Sequence, residues 1–177
     1  MSQTQFLFSG FGGQGILFAG KFLAYKGLME DRQVSWLPSY GPEMRGGTAN
    51  CSVIISDTPV GSPIITNPDV LVAMNLPSLQ KFVNDVVPGG VIILDSTLIG
   101  AKVERDDVKV CYVPATQMAR DGGFPTLANM ILTGKVLKEA GCVDYAGNRE
   151  TLEAFIPAKK ANLIDVNCKA LQLGYDH

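Results

Sequence analysis

Short apolar runs alternate with longer apolar or amphipathic segments along the whole chain. Phe6-Leu7-Phe8 stops at Ser9-Gly10, which is a strand signal. Residues 16–29 are almost entirely apolar and too long for a strand, so they predict a buried helix. Residues 34–37 read as a second strand ended by Pro38, and 49–55 alternates before closing on Val53-Ile54-Ile55 as a third. Residues 69–74, 91–95 and 108–113 are further strands, with Val91-Ile92-Ile93-Leu94-Asp95 the clearest buried one. Asn75 is placed to cap a helix over 76–85, and Pro77 suits its first turn. Residues 126–140 predict a helix stopped by Gly141. A short helix over 149–155 and a longer one over 158–173 follow; Ala161, Ile164, Cys168 and Leu171 share a face of the latter, and Gly174 stands after it.

Strands alternating with helices predict an α/β protein: a three-layer α/β/α, Rossmann-like arrangement around a mostly parallel sheet. The chain shows no internal repeat and no linker composition, so its 177 residues read as one domain, 1–177. At this length folding buries roughly 70% of the surface the unfolded chain exposes, enough for a core without staples.

Composition narrows the function classes. Charged residues are 18% and hydrophobic residues 46%. Low charge on an apolar chain fits either a large core or a surface covered by a permanent partner. The net charge of −2 comes without any basic run, which argues against nucleic acid. The longest apolar stretch is broken by Gly20, Lys21, Lys26 and Gly27, so no membrane span is expected. The first residues lack a basic segment ahead of an apolar core, and the expected location is cytoplasmic. Cys51, Cys111, Cys142 and Cys168 are far apart in sequence and read as small buried hydrophobes rather than cluster ligands. His177, the only histidine, is the last residue, so a histidine-based triad or metal site is not expected.

Gly10-Phe11-Gly12-Gly13-Gln14-Gly15 satisfies G-x-G-x-x-G between the first strand and the first helix. Glycines let backbone amides approach a phosphate, and the helix start adds partial positive charge. A dinucleotide site also needs an acidic residue closing the second strand. Here that strand runs into Pro38-Ser39-Tyr40 instead. Ile16-Leu17 likewise stands where a Walker motif needs Lys-Ser/Thr. The loop is therefore a tight structural turn, a loop facing a partner's ligand, or a free-standing dinucleotide site that lacks its acid. Gln14 is not demanded by turn geometry; its amide suits a ligand or a neighbouring loop.

A second loop, Tyr40-Gly41-Pro42-Glu43-Met44-Arg45-Gly46-Gly47, combines turn residues with types enriched at interfaces. Arg45 could grip a carboxylate or phosphate bidentately, or pair internally with Glu43. Asp121-Gly122-Gly123-Phe124-Pro125 reads as a turn. Asp95 stands where α/β proteins often carry active-site residues, but a strand-end Asp commonly caps the next segment.

Together the two loops resemble the gamma subunit of the 2-oxoacid:ferredoxin oxidoreductases. The matching residues are Gly10, Gly12, Gly13, Gln14 and Gly15, then the whole second loop continued by Thr48-Ala49-Asn50-Cys51. Ser62-Pro63, Ala128-Asn129-Met130, Asn167, Ala170 and Gly174-Tyr175 are weaker matches, so the resemblance runs along nearly the whole chain. It implies a complex in which alpha and beta subunits hold thiamine diphosphate, Mg2+ and a [4Fe–4S] cluster, with a ferredoxin-like delta subunit in some cases. Such a complex decarboxylates a 2-oxoacid, passes electrons to ferredoxin and transfers the acyl group to coenzyme A (CoA). The gamma subunit would hold no cofactor and catalyse nothing alone. It would present Gly10, Gly12, Gly13, Gln14 and Gly15 toward CoA or a partner-held ligand. Tyr40, Gly41, Pro42, Glu43, Met44, Arg45, Gly46, Gly47 and Asn50 would form the subunit interface. The ending Thr48-Ala49-Asn50-Cys51 is more like the 2-oxoglutarate and branched-chain enzymes than the pyruvate enzymes, and 2-oxoglutarate is the first expectation.

Overall fold

The computed structural model describes residues 2–39 and 48–177. In chain order the elements are β1 (Gln3–Gly10), α1 (Ile16–Met29), β2 (Gln33–Ser39), β3 (Ala49–Ser56), β4 (Val70–Ala73) and α2 (Leu76–Phe82). Then follow β5 (Val91–Asp95), β6 (Lys109–Val113), α3 (Ala115–Asp121), α4 (Ala128–Ala140), α5 (Asn148–Phe155) and α6 (Asn162–Asp176).

The six strands form one sheet in the order β2-β3-β1-β4-β5-β6. β1, β4, β5 and β6 pair in parallel, while β3 runs antiparallel to both its neighbours, β1 and β2. The sheet is mostly parallel, as expected, with one strand reversed. Central strands are buried on both faces. Phe6 and Phe8, Val70 and Val72, and Ile93 pack into a large core against α1 and α4. Their alternates Leu7, Leu71, Ala73, Ile92 and Leu94 form a smaller core with Leu79 of α2 and Ile99. Burying each such aliphatic or aromatic side chain contributes about 1.5–3 kcal/mol.

Close helix approaches are set by small residues. Gly20 of α1 faces Cys51 of β3, where an added methyl carbon would stand 2.2 Å from the sulfur. Trp36 Nε1 donates to Cys51 Sγ at 3.0 Å, tying β2 to β3 across the same notch. All four cysteines are free thiols, Cys51 and Cys111 buried and the other two half-buried.

Several elements differ from expectation. β2 does not end at Pro38 but runs on to Ser39, with Pro38 opposite Cys51. The segment Ala115–Asp121 is helical, its short stripe of Ala115, Met118 and Ala119 facing the core, where no helix was expected. It is started by tertiary contact, since the carboxylate of Asp95 accepts from Thr116 N. α4 begins at Ala128 rather than 126, after a turn in which Gly123 takes φ 80°. α2 ends at Phe82, short of 85. Finally, residues 158–160 form a separate 3-10 turn, and α6 runs through Gly174. Its buried stripe is Ile164, Asn167, Ala170, Leu171 and Gly174; Ala161 is exposed and Cys168 half-buried. Gly174 lies inside α6 and lets the helix pass against the backbone of α4.

Candidate functional site

β1 delivers the glycine loop to the edge of the sheet where β4 and β5 also end. Register brings the residues on either side of the second motif to the same edge. Gly10 pairs with Ala49 and Ser39 pairs with Asn50, so the residues flanking that motif stand beside the glycine loop. Tyr40, Gly41, Pro42, Glu43, Met44, Arg45, Gly46 and Gly47 themselves lie outside the described residues. Asn50 is half-buried within β3, between Ser9 and Ser39.

The glycines have different jobs. Gly13 and Gly15 adopt φ 88° and 75°, left-handed conformations that disfavour other residues. Gly10 is extended, yet a side chain there would meet Gln14 Oε1 at 2.6 Å. Gly15 precedes α1 without any side-chain cap. The first helical amides, those of Ile16, Leu17 and Phe18, have no intrahelical acceptor and carry the positive end of the helix dipole. A cleft of about 280 Å³ opens there, lined by Phe11, Gly12, Gly13, Ile16, Phe18 and Ala49 among others. On the other side of the loop a second cleft of about 280 Å³ is lined by Gln14, Met74, Thr116, Pro125, Thr126 and Ala128, together with Gly13.

Gln14 is used inside the protein. Its Oε1 accepts from Phe11 N at 2.6 Å and its Nε2 donates to the Met74 carbonyl at 3.2 Å. The side chain closes the loop on itself and fastens it to the end of β4. Asn129, at the start of α4, donates from Nδ2 to the Gly15 carbonyl at 3.0 Å. Asn129 is 4% exposed and its Oδ1 has no partner. In the sequence Asn129 belongs only to a weak family match, because its link to Gly15 spans 114 positions and leaves no local signal.

The geometry disfavours a dinucleotide site. In such folds the second strand lies beside the first and brings its acid to the ribose. Here β3 occupies that place and β2 lies one strand farther out. The Phe11 amide already donates to Gln14 Oε1.

Asp95 is fully buried and accepts from Thr97 N at 3.0 Å and from the amide and hydroxyl of Thr116. It joins β5 to α3 as a cap. Burial pushes the Cys51 thiol up to about 12, against the lowering effect of the Trp36 hydrogen bond. A thiol so disposed is not a nucleophile near neutrality. Among the described residues, no group of three or more His, Cys, Asp or Glu lies close enough to hold a metal ion. Among them also, no helix is long and apolar enough to cross a membrane.

The profile of the family described as Pyruvate ferredoxin/flavodoxin oxidoreductase matches residues 5–177. The chain belongs to this family. It is 44% identical over 168 residues to ketoisovalerate oxidoreductase subunit VorA of Methanothermobacter thermautotrophicus, covering 94% of this chain and 34% of that protein. The chain thus spans about a third of the length of that relative. It is 32% identical over 172 residues to 2-oxoglutarate synthase subunit KorC of Methanocaldococcus jannaschii, covering 95% of this chain and 90% of that one. Among solved structures, the gamma subunit of a keto/oxoacid ferredoxin oxidoreductase from Geobacter sulfurreducens superposes with a TM-score of 0.82 at 30% identity. That match covers 98% of this chain and 96% of the other. These family members are subunits of oxidoreductases, in accord with the resemblance carried by the two loops.

Proposed function

We propose that this chain is the gamma-type subunit, one domain over residues 1–177, of a thiamine-diphosphate-dependent 2-oxoacid:ferredoxin oxidoreductase. The observation that carries this reading is end-to-end correspondence with a subunit of the same size. KorC is covered over 90% of its length and the Geobacter gamma subunit over 96%. The complex converts a 2-oxoacid, CoA and oxidised ferredoxin into acyl-CoA, CO2 and reduced ferredoxin. Alpha and beta subunits, and in some complexes a ferredoxin-like delta subunit, carry thiamine diphosphate, Mg2+ and [4Fe–4S] clusters. Identity of 44% to a ketoisovalerate subunit against 32% to a 2-oxoglutarate subunit favours a branched-chain substrate over 2-oxoglutarate.

Within the complex, the glycine loop is assigned to the CoA side. The uncapped start of α1 and the cleft beside Gly12 and Gly13 suit a phosphate group. Gln14 holds the loop in shape rather than touching the ligand. Residues 40–47, with Asn50, are assigned to the contact with partner subunits. The assignment is supported by the register on either side of them, since Ala49 pairs with Gly10 and Ser39 with Asn50.

The test is to purify the complex from its host through a tag on this chain and identify the subunits. Reduction of ferredoxin is then assayed with 2-oxoisovalerate, 2-oxoglutarate and pyruvate, each with CoA. Strongest turnover with 2-oxoisovalerate supports the reading in full. Preference for another 2-oxoacid overturns only the substrate, and recovery of the chain without partners overturns the subunit reading. In the same complex Arg45→Ala is expected to weaken assembly or raise the KM for CoA without lowering the melting temperature of the chain. Unchanged assembly and KM would remove Arg45 from the interface.

A further inference from the structure

The outer edge of the sheet is built to accept another strand. β2 is the end strand and, among the described residues, pairs only with β3. Its sequence, Gln33-Val-Ser-Trp-Leu-Pro-Ser39, carries no charge. Edge strands left in solvent are ordinarily blunted by Lys, Pro or bulges, because their open backbone groups pair with whatever arrives. Here only Pro38, close to one end, serves that purpose. The opposite edge strand, β6, instead begins with Lys109, ion-paired to Glu139.

The side chains of the β2 edge are apolar and open. Trp36 and Leu37 are 39% and 40% exposed, and Leu28 and Met29 at the end of α1 are 54% and 51%. Val34 and Trp36 point to the α1 side, opposite Ile55 and Val53 of β3. With Ala24, Tyr25, Leu28 and Lys21 they line a groove of about 270 Å³ along β2. Trp36 is held in place because its Nε1 is bound to Cys51 Sγ, so the wall of the groove is pre-set. Lys21 closes one end. Its ammonium lies over the rings of Tyr25 and Phe155 at 5.8 and 5.6 Å, and among the described residues it makes no ion pair. The cation is therefore complementary to a carboxylate that the other described residues do not supply.

We infer that β2 is a docking edge for an extended segment of a partner polypeptide, which adds a seventh strand. Alternate side chains of that segment would be apolar and enter the Trp36–Leu28 groove, and one carboxylate would meet Lys21. Main-chain pairing gives such contacts their affinity, and the groove and the lysine give them selectivity. The inference rests on the subunit reading above. Its occupant is a segment of a partner subunit rather than a second copy, because the family members this chain matches end to end are subunits of larger oxidoreductases, and the groove offers that segment an apolar wall and the Lys21 cation. The VorA relative, in which the matched stretch is 34% of a longer polypeptide, shows that this fold occurs joined to further chain.

Hydrogen exchange followed by mass spectrometry, comparing the purified complex with the full chain alone, tests this directly. The amides of β2 are expected to exchange at least about tenfold more slowly in the complex. Lys21→Glu and Leu28→Asp are each expected to weaken assembly about tenfold at unchanged melting temperature of the chain, while Lys21→Arg restores it. A complex that forms and turns over with β2 exchanging as in the free chain overturns the docking edge and leaves the subunit reading intact. Failure to recover any complex overturns both. Protection of β2 in the chain alone, rising with concentration as a dimer forms, assigns the edge to a second copy and overturns the proposal.

Discussion

A methyl carbon added at Gly134 would stand 2.0 Å from the carbonyl oxygen of Leu171. The reciprocal contact is closer still, at 1.7 Å between a carbon on Gly174 and the carbonyl of Ile131. α4 and α6 therefore cross backbone to backbone, each presenting a glycine to the other's main chain.

Gly134→Ala and Gly174→Ala are accordingly expected to destabilise the protein. Helix propensity alone would favour alanine by about 1 kcal/mol. The clash outweighs it because the opposing atoms are backbone, which moves only if a whole helix moves; overpacking of this kind costs about 1–3 kcal/mol or more. Urea unfolding of either variant should show a lower midpoint. An unchanged or higher midpoint would mean that the helices separate at little cost.

Gln14→Ala leaves the Phe11 amide without its acceptor and the Met74 carbonyl without its donor. The expected loss is about 1–2 kcal/mol, with faster amide exchange at Phe11 than at residues of β1 farther back. Gln14→Glu keeps an acceptor for Phe11 and loses the donor to Met74, so it should fall between the two. If Gln14→Ala changes neither stability nor exchange, the latch does not hold the loop.

Cys51 gives a signature at high pH. Its folded value is raised from 9.0 to about 12 by burial. A thiol whose folded value lies above its unfolded value stabilises the fold fully below 9.0, and that contribution drains away as pH climbs toward about 12. Cys51→Ala should flatten this alkaline decline in melting temperature. In the native wild-type chain near neutral pH, iodoacetamide is expected to leave Cys51 unmodified until the protein unfolds.

Glu139 gives the complementary signature in acid. Burial raises its carboxyl, but hydrogen bonds and ion pairs with Lys109 and Lys135 outweigh that and hold it below its ordinary value of 4.5. A lowered folded value means the stabilisation is complete above the unfolded value and is lost as pH falls through the folded one. Glu139→Gln should cost about 1–3 kcal/mol at neutral pH, since it leaves the largely buried Lys135 unneutralised. The deficit should shrink in acid, and a constant one would show that the loss is one of packing alone.

Much of this molecule was legible in one dimension because its signals are local. Apolar runs marked every strand of the sheet, although β1 extends on both sides of Phe6-Leu7-Phe8, and Asn75 caps α2 by accepting from Ser78 N at 2.8 Å, as its position implied. The glycine loop and the second motif were recognisable as residue strings, and so was the family. α3 was not, because the contact that starts it comes from Asp95, 21 positions away. The apolar pattern ends the last helix before Gly174; only the path of α4 shows why that glycine belongs inside.

The sequence by itself determined every strand and most helices, the class of fold and the missing ribose-binding acid, since periodicity, turn chemistry and residue type act over a few neighbours. Tertiary structure alone decided that β3 inserts between β1 and β2, that Gln14 turns inward, and that Asn129 reaches Gly15. It also decided which strand is left open at the edge. Those outcomes depend on pairings across tens of residues, where the order of strands, not the character of any segment, sets what each side chain meets.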